Sequence, residues 1–437
     1  MWQAEIRKNV RFNFTVNILD AAFYGIGVLG LASFVTVIPL FLNSLHASTL
    51  LIGLITSFHA IGWQLPQLFT APRVSQLKRY KPFVMWTTLH ERWPFFGLML
   101  IAIALPFLGE QLALILTVLM VLIFALGGGL AANAWQSMIA KVMPKNRIGT
   151  FYGTQSGVAN LTAAVGAVAA GFILKNMPFP QGYVVCFFIT SVTVFISMAF
   201  LGVTREPHHD HEIDAAPTKD MVKPLKVDYG WSQMWGILRD DVNFRWFLTA
   251  RTLAQFANVA LAFYTLYAVK HFGMNEQMAG ILTGVLLLSK TVASPLLGWV
   301  GDRWGHRTVL VSGGLIMSLA ATLALTAPNV GWFYVIYALA GLADASMWTV
   351  AMAFTQEFGV GSRKPLYIGL ANTLTAPFAL LAPVIGGALA DSFGFGATFT
   401  ISIVTGLLAA WVFYYGVRDP QTIQQTAVFN QPLPAGE

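Results

Sequence analysis

Charged side chains are scarce in this sequence. Asp, Glu, Lys and Arg make up 10% of its 437 residues, against roughly a quarter in soluble domains. Hydrophobic residues make up 56%, and the mean hydropathy is +0.64. Water cannot hold most of such a chain in solution, so a soluble globule is excluded. The net charge of +7 is then no nucleic-acid signal, and no nucleic-acid partner is expected, because basic residues in such a chain report topology. Cysteine is nearly missing as well. Cys186 stands alone inside an apolar run, which rules out a disulfide framework within the chain. No G-x-x-x-x-G-K-[ST] loop is present, which speaks against ATP-driven work by this chain. No nucleophile–base set stands out, so no catalytic residues are assigned and an enzyme is not expected. His208-His209-Asp210-His211 could ligate a metal, but it lacks a second ligand group and reads as a solvated loop. Neither a metal nor a cofactor is expected.

What the sequence has is long apolar runs, each near the roughly 20 residues that cross a bilayer as a helix. Their approximate bounds are 14–42, 48–72, 82–108, 111–140, 149–174, 182–204, 244–270, 276–300, 307–327, 331–357, 365–390 and 396–417. The first is too long for a signal-peptide core, and no small-residue cleavage site follows it. One connection, 205–243, is long and polar, and it divides the runs six and six. Trp231, Met234, Trp235 and Leu238 recur near its end at helical spacing, a pattern that suits an amphipathic helix on the membrane surface. The expected fold is all-α and integral to the membrane, with twelve transmembrane helices in two pseudo-symmetric bundles. The expected divisions are an N-terminal bundle over 1–204, a linker over 205–243, and a C-terminal bundle with a short tail over 244–437.

Charge placement tests this threading. With the N-terminus in the cytoplasm, the opposite side holds Lys175 and Lys270, while Arg92, Arg251 and Lys290 fall inside runs. Every other Lys and Arg falls on the cytoplasmic side, among them Arg7, Arg11, Lys141, Lys145, Arg147 and Lys364. One helix more or fewer would scramble that separation. Both termini are therefore expected in the cytoplasm, and the membrane is expected to be a bacterial cytoplasmic one. The halves also match each other. Gly53 aligns with Gly280 within Leu51–Thr56 and Met278–Thr283, and at a second offset Trp135 aligns with Trp348. Parallel duplication of a six-helix unit is a known transporter plan.

Between the eighth and ninth runs stands Gly298-Trp299-Val300-Gly301-Asp302-Arg303-Trp304-Gly305-His306-Arg307. The segment resembles the cytoplasmic signature loop of the major facilitator superfamily, G-x-x-x-D-R-x-G-x-R. With the six-plus-six plan, the resemblance covers about the whole chain. It implies that Gly298, Gly301, Asp302, Arg303, Gly305 and Arg307 form a gate that locks the two halves together in one state. Gly298 leaves room for a neighbouring helix, and Asp302 is expected to face the positive N-terminus of the eleventh helix near Pro365. Arg303 and Arg307 are expected to pair with Asp302 or with lipid phosphate. The first-half copy departs from the pattern, with Ala71 in place of Gly298 and Ser75 in place of Asp302. The exporter stretch G-P-x-x-G-G is absent from the fifth run, and the better copy is Ala382-Pro383-Val384-Ile385-Gly386-Gly387 in the eleventh.

Ionisable groups at bilayer depth cost about 2.5–3.5 kcal/mol on insertion scales, so each is a site candidate. They are Asp20, His59, His90, Glu91, Arg92, Arg251, Lys290 and Asp344. The resemblance implies a central cavity lined by the first, fourth, seventh and tenth helices, with the third peripheral. Asp344 lies roughly 20 Å into the tenth run at 1.5 Å per residue, which makes it the leading substrate or proton candidate, with Arg251 and Lys290 as possible partners. Asp20 and Arg92 are read as a structural pair, with Glu91 as a second proton candidate. His59 reads as a satisfied buried histidine. Phe23, Tyr24, Asn133, Trp135, Gln136, Gln255, Asn258, Tyr264, Tyr267 and Trp348 are the aromatic and amide groups on the presumed cavity helices.

The resemblance implies secondary transport of a small organic solute by alternating access, coupled to protons or another ion, with efflux slightly favoured over uptake. Implied partners are that solute, the coupling ion and membrane lipids, and the chain is expected to act as a monomer. A receptor or lipid-handling protein of the same fold is the alternative. A membrane-embedded enzyme is the third reading, and it lacks a catalytic set.

Overall fold

The computed structural model describes residues 2–34, 36–207, 231–359 and 361–420. The His208–His211 cluster and Lys219, Lys223 and Lys226 of the linker lie outside these residues, and so does the side chain of His59. Among the described residues every regular element is helical.

Eleven helices among the described residues are continuous, long and apolar enough to span a bilayer: α1 (Ile6–Leu31), α3 (Lys81–Leu108), α4 (Glu110–Val142), α5 (Lys145–Asn176), α6 (Gln181–Gly202), α7 (Val242–Phe272), α8 (Met278–Trp304), α9 (His306–Thr326), α10 (Val330–Thr355), α11 (Gly361–Phe393) and α12 (Phe395–Gly416). The twelfth rod, α2, comes in two pieces, Thr49–Gln64 and Pro66–Ser75. Pro66 has no N–H for the ladder, which interrupts the helix there. Leu65 keeps helical angles (φ −64°, ψ −45°), so the rod continues past the break.

The run boundaries follow elementary rules. Pro82 and Pro365 sit in the first turns of α3 and α11, where a missing N–H costs nothing. The Asp241 carboxylate caps α7 by accepting from the Phe244 amide at 2.8 Å, and the Asn275 side chain accepts from the Met278 amide at 2.8 Å. Gly109, Gly305 and Gly394 each form a one-residue connection between antiparallel helices, at φ +72°, +90° and +81°. Side chains rarely adopt that backbone, which is why glycine stands there.

One boundary differs from expectation. The first run does not continue to residue 42. After Tyr24 the helix loosens into a π-helical stretch, Gly25–Leu31, and a separate short helix follows at Val37–Ser44. Gly25, Gly27 and Gly30 hold that stretch against α5 and α6, since a Cβ on Gly30 would lie 2.7 Å from Gly166 Cα of α5. The helix expected late in the linker exists at Trp231–Asp240. Its Met234 is buried in the core of the second bundle with Phe244 and Phe247, while Trp235 is exposed.

Candidate functional site

The two halves meet tightly at one end. On α5, Gly149, Gly153 and Gly157 face α8. A Cβ on Gly153 would lie 2.9 Å from Pro295 Cα, one on Gly157 would lie 2.9 Å from the Thr291 carbonyl, and Gly149 and Gly298 exclude a Cβ on each other. Small residues of this kind let helix backbones touch. Farther along the same helices the contact ends: Gly171 of α5 and Gly280 and Gly284 of α8 have no described atom within 4 Å of an added Cβ. The halves are therefore packed at the Asp302 end and parted at the other.

Asp302 fastens the packed end. Its carboxylate accepts from the amides of Gly149 at 2.8 Å and Thr150 at 2.6 Å. The helix it caps is α5, not α11. The expectation pointed to the partner of a first-half motif, whereas a second-half motif meets the equivalent helix of the first half. His306 lies beside it, with Nε2 3.4 Å from Asp302 and Nδ1 2.5 Å from Glu357 just past α10. Arg303 and Arg307 do not reach Asp302. Arg303 stacks on Trp299 at 5.7 Å, and Arg307 donates to the carbonyls of Phe413 (3.0 Å) and Tyr414.

The second seam joins α2 and α11 without an acid. Thr373 of α11 fills the break in α2, donating to the Gln64 carbonyl at 2.9 Å and accepting from the Leu68 amide at 3.2 Å. Gln67 of α2 accepts from Asn372 at 2.8 Å and Gln136 at 3.4 Å. Asn133 donates to the Pro365 carbonyl at 2.8 Å, and Arg251 donates to Asn372 at 3.3 Å. Three presumed cavity residues, Asn133, Gln136 and Arg251, thus belong to an inter-half hydrogen-bond network. Polar groups with no water at hand bond across helices, and these did so at the seam.

Between the two seams lies a cavity of about 430 Å³. It is lined by α1, α3, α4, α5, α8 and α10, with single residues from α2 and α6. Its charges form two groups on opposite walls. On the first-half wall, Arg92 Nη2 is 3.4 Å from Asp20 Oδ1, and Ser197 donates to the same oxygen at 2.5 Å. Glu91 accepts from the Tyr24 hydroxyl at 2.9 Å. Arg92 also lies 5.2 Å from the centre of the Tyr24 ring, and its Nε and Nη1 have no hydrogen-bond partner among the described residues. On the second-half wall, Lys290 Nζ is 2.6 Å from Asp344 Oδ2. Trp63 and Trp348 face each other across the halves with ring centres 5.5 Å apart.

Of the residues singled out from sequence, Asp20, Glu91, Arg92, Trp135, Lys290, Asp344 and Trp348 meet in this cavity. The partner of Asp344 is Lys290, not Arg251. Gln255, Asn258 and Tyr264 do not line it. Tyr264 is buried between Tyr337 and Phe399, in the second bundle's own core. The third helix is not peripheral, because Thr88, Glu91 and Arg92 of α3 all reach the cavity. Gln155, Ser156 and Asn160 of α5 also line it. Their signal was available as polar side chains in an otherwise small and apolar run. The π-helical stretch Ser346–Val350, right after Asp344, left no sequence signal. It places Trp348 and Thr349 on the cavity wall, in keeping with the frequency of such bulges at functional sites.

The Major Facilitator Superfamily profile matches residues 24–270 and again 252–437. Among curated proteins, the multidrug transporter protein MdtP of Bacillus subtilis (strain 168) is 28% identical over 149 residues, covering 34% of this chain and 27% of that one. The multidrug resistance protein MdtG of Escherichia coli (strain K12 / DH10B) is 29% identical over 168 residues, 37% of this chain and 40% of that one. The matched stretches thus span less than half the length of these relatives. Among solved structures, the E. coli fucose:proton symporter FucP superposes with a TM-score of 0.73 at 15% identity, over 93% of this chain and 98% of that one. A bacterial homologue of the iron transporter ferroportin, in its outward-facing state, gives 0.72 at 14% identity over 92% and 98%. Likeness at such identities is one of fold.

Proposed function

The chain belongs to the Major Facilitator Superfamily, and from that premise we propose that it is a secondary transporter carrying a small organic solute by alternating access. One observation carries the reading: a mid-membrane cavity with charged walls lies between halves that are packed at one end and parted at the other. The positive-inside pattern assigns the packed end to the cytoplasm, so this is an outward-open state. Rocking the halves would expose the same site to the other side.

The charges favour a solute and an ion that exclude each other. Asp20 pairs with Arg92 and Asp344 with Lys290, while among the described residues Glu91 forms no ion pair of its own and accepts from the Tyr24 hydroxyl. The cavity therefore carries one carboxylate more than its cations balance. A proton on Glu91 or an organic cation beside it would restore neutrality, and both cannot do so at once. Competition for one carboxylate is the basis of exchange, and this supports proton-driven efflux over uptake. The Trp63–Trp348 wall suits a flat aromatic body. The curated relatives, a multidrug transporter protein and a multidrug resistance protein, point the same way.

The test is flux of a fluorescent aromatic cation, such as ethidium, in proteoliposomes under an imposed proton gradient. Flux that follows the gradient, and that loses its proton dependence in Glu91→Gln, is the expected result. Bound dye without flux under any ion gradient would replace this reading with a non-transporting receptor.

A further inference from the structure

A second hollow, of about 840 Å³, lies at the packed end, beyond the seams and away from the transport cavity. Its wall holds Arg7 and Arg11 of α1, Lys145 and Arg147 at the start of α5, Lys364 near the start of α11, and Lys141, which is paired with Glu206; among the described residues no Asp or Glu lines it. Arg7, Arg11, Arg147 and Lys364 form no ion pair among the described residues. The acid that acts on Lys364, Glu357, is already hydrogen-bonded by His306 at 2.5 Å. Among the described residues no side chain caps the α-helical part of α11, which begins at Lys364 after the 3₁₀ turn Gly361–Arg363, so the start of this helix adds partial positive charge to the same wall.

Topology rules alone would scatter basic residues around the rim of the helix ends. They do not require four cations from both halves and an uncapped helix to converge on one concave space. The geometry points to a binding site for a phosphate-bearing anion in this hollow, held by Arg7, Arg11, Arg147 and Lys364. Arginine forks and a helix N-terminus suit phosphate oxygens in particular. Two sources share that chemistry. A phosphorylated solute could enter from the aqueous face. A phospholipid headgroup could enter from the side, because Arg11 and Arg147 also line an adjoining hollow of about 630 Å³ that reaches the half-exposed Trp299 and Arg303. In either case the anion bridges the halves, since the arginines belong to the first and Lys364 to the second. It therefore favours the packed arrangement of this end. That consequence rests on the transport reading; binding itself does not.

The experiment uses the full chain and needs no transport assay. In neutral detergent at constant ionic strength, thermal unfolding is followed against sodium tripolyphosphate. In parallel, nanodiscs of phosphatidylcholine are compared with nanodiscs that also hold phosphatidylglycerol. Stabilisation by tripolyphosphate identifies a soluble ligand class, and stabilisation by phosphatidylglycerol alone identifies lipid. Each lost charged hydrogen bond should weaken binding about tenfold, so Arg147→Gln with Lys364→Gln should weaken it about a hundredfold. Arg7→Gln with Arg11→Gln removes exposed guanidiniums only and guards against misfolding of the first variant. Lys175→Gln with Lys270→Gln, at the opposite end, should leave the response intact. No stabilisation in either arm, or an equal response in all variants, would overturn the site.

Discussion

At the level of single residues, the ion pairs on the two cavity walls are the most informative feature. Lys290 and Asp344 sit 2.6 Å apart, each partly exposed to the cavity. Removing one partner strands the other charge. Full burial would make that loss about 3–5 kcal/mol; partial exposure lowers it to about 2 kcal/mol. Asp344→Asn or Lys290→Gln should thus lower the unfolding temperature in detergent, and the double variant should recover most of the loss. A double variant no more stable than either single one would show that the pair is not coupled. Glu91→Gln should leave stability nearly unchanged, because an amide oxygen can still accept from Tyr24, so any change it brings to flux reports on charge. Asp20, Arg92 and Asp344 were legible because charge inside an apolar run is costly and therefore conspicuous. The partner of Asp344 was not, because linear sequence does not say which faces of separate helices meet, and Arg251 and Lys290 were equally eligible.

At the level of helices, the α5–α8 pair has opposite surroundings at its two ends. Gly153 of α5 is pressed against α8, while Gly284 of α8 has open space beyond it. Gly153→Ala should cost about 1–3 kcal/mol through overpacking. Gly284→Ala meets nothing in this state and should change stability by no more than about 1 kcal/mol, the scale of helix propensity. Thermal unfolding of both variants checks the contrast, and equal effects would remove the claim that the halves part at that end. Helix number, and the bounds of every spanning helix but the first, were legible to within a few residues, since apolar runs and basic flanks mark them independently. The π-helical stretches in α1 and α10 were not, because they depend on glycine packing and on neighbours distant in sequence. The seam network was missed for a related reason: Asn133 and Gln136 look the same in sequence whether they face a solute or another helix.

For the whole molecule, threading and motion make separate predictions. With Cys186 replaced by Ala, single cysteines at positions 175 and 302 should react with a membrane-impermeant reagent from opposite faces. Labelling from one face would undo the orientation. Spin labels at positions 171 and 280, where the halves stand apart, should report a shorter distance when solute is supplied with the coupling ion. A distance that never changes would argue against rocking of the bundles. The two-bundle plan was the most legible from sequence, because the division into halves is a property of the chain as a whole.

Asp302 has no counterpart, since Ser75 stands at its place in the first half. One join is therefore a carboxylate on helix amides, and the other is a row of neutral amide and hydroxyl bonds. Replacing Asp302 with Asn would weaken only the first. Two fastenings of unlike strength do not release together. The molecule should open lopsidedly, swinging about the edge that holds longer, as a door turns on its jamb.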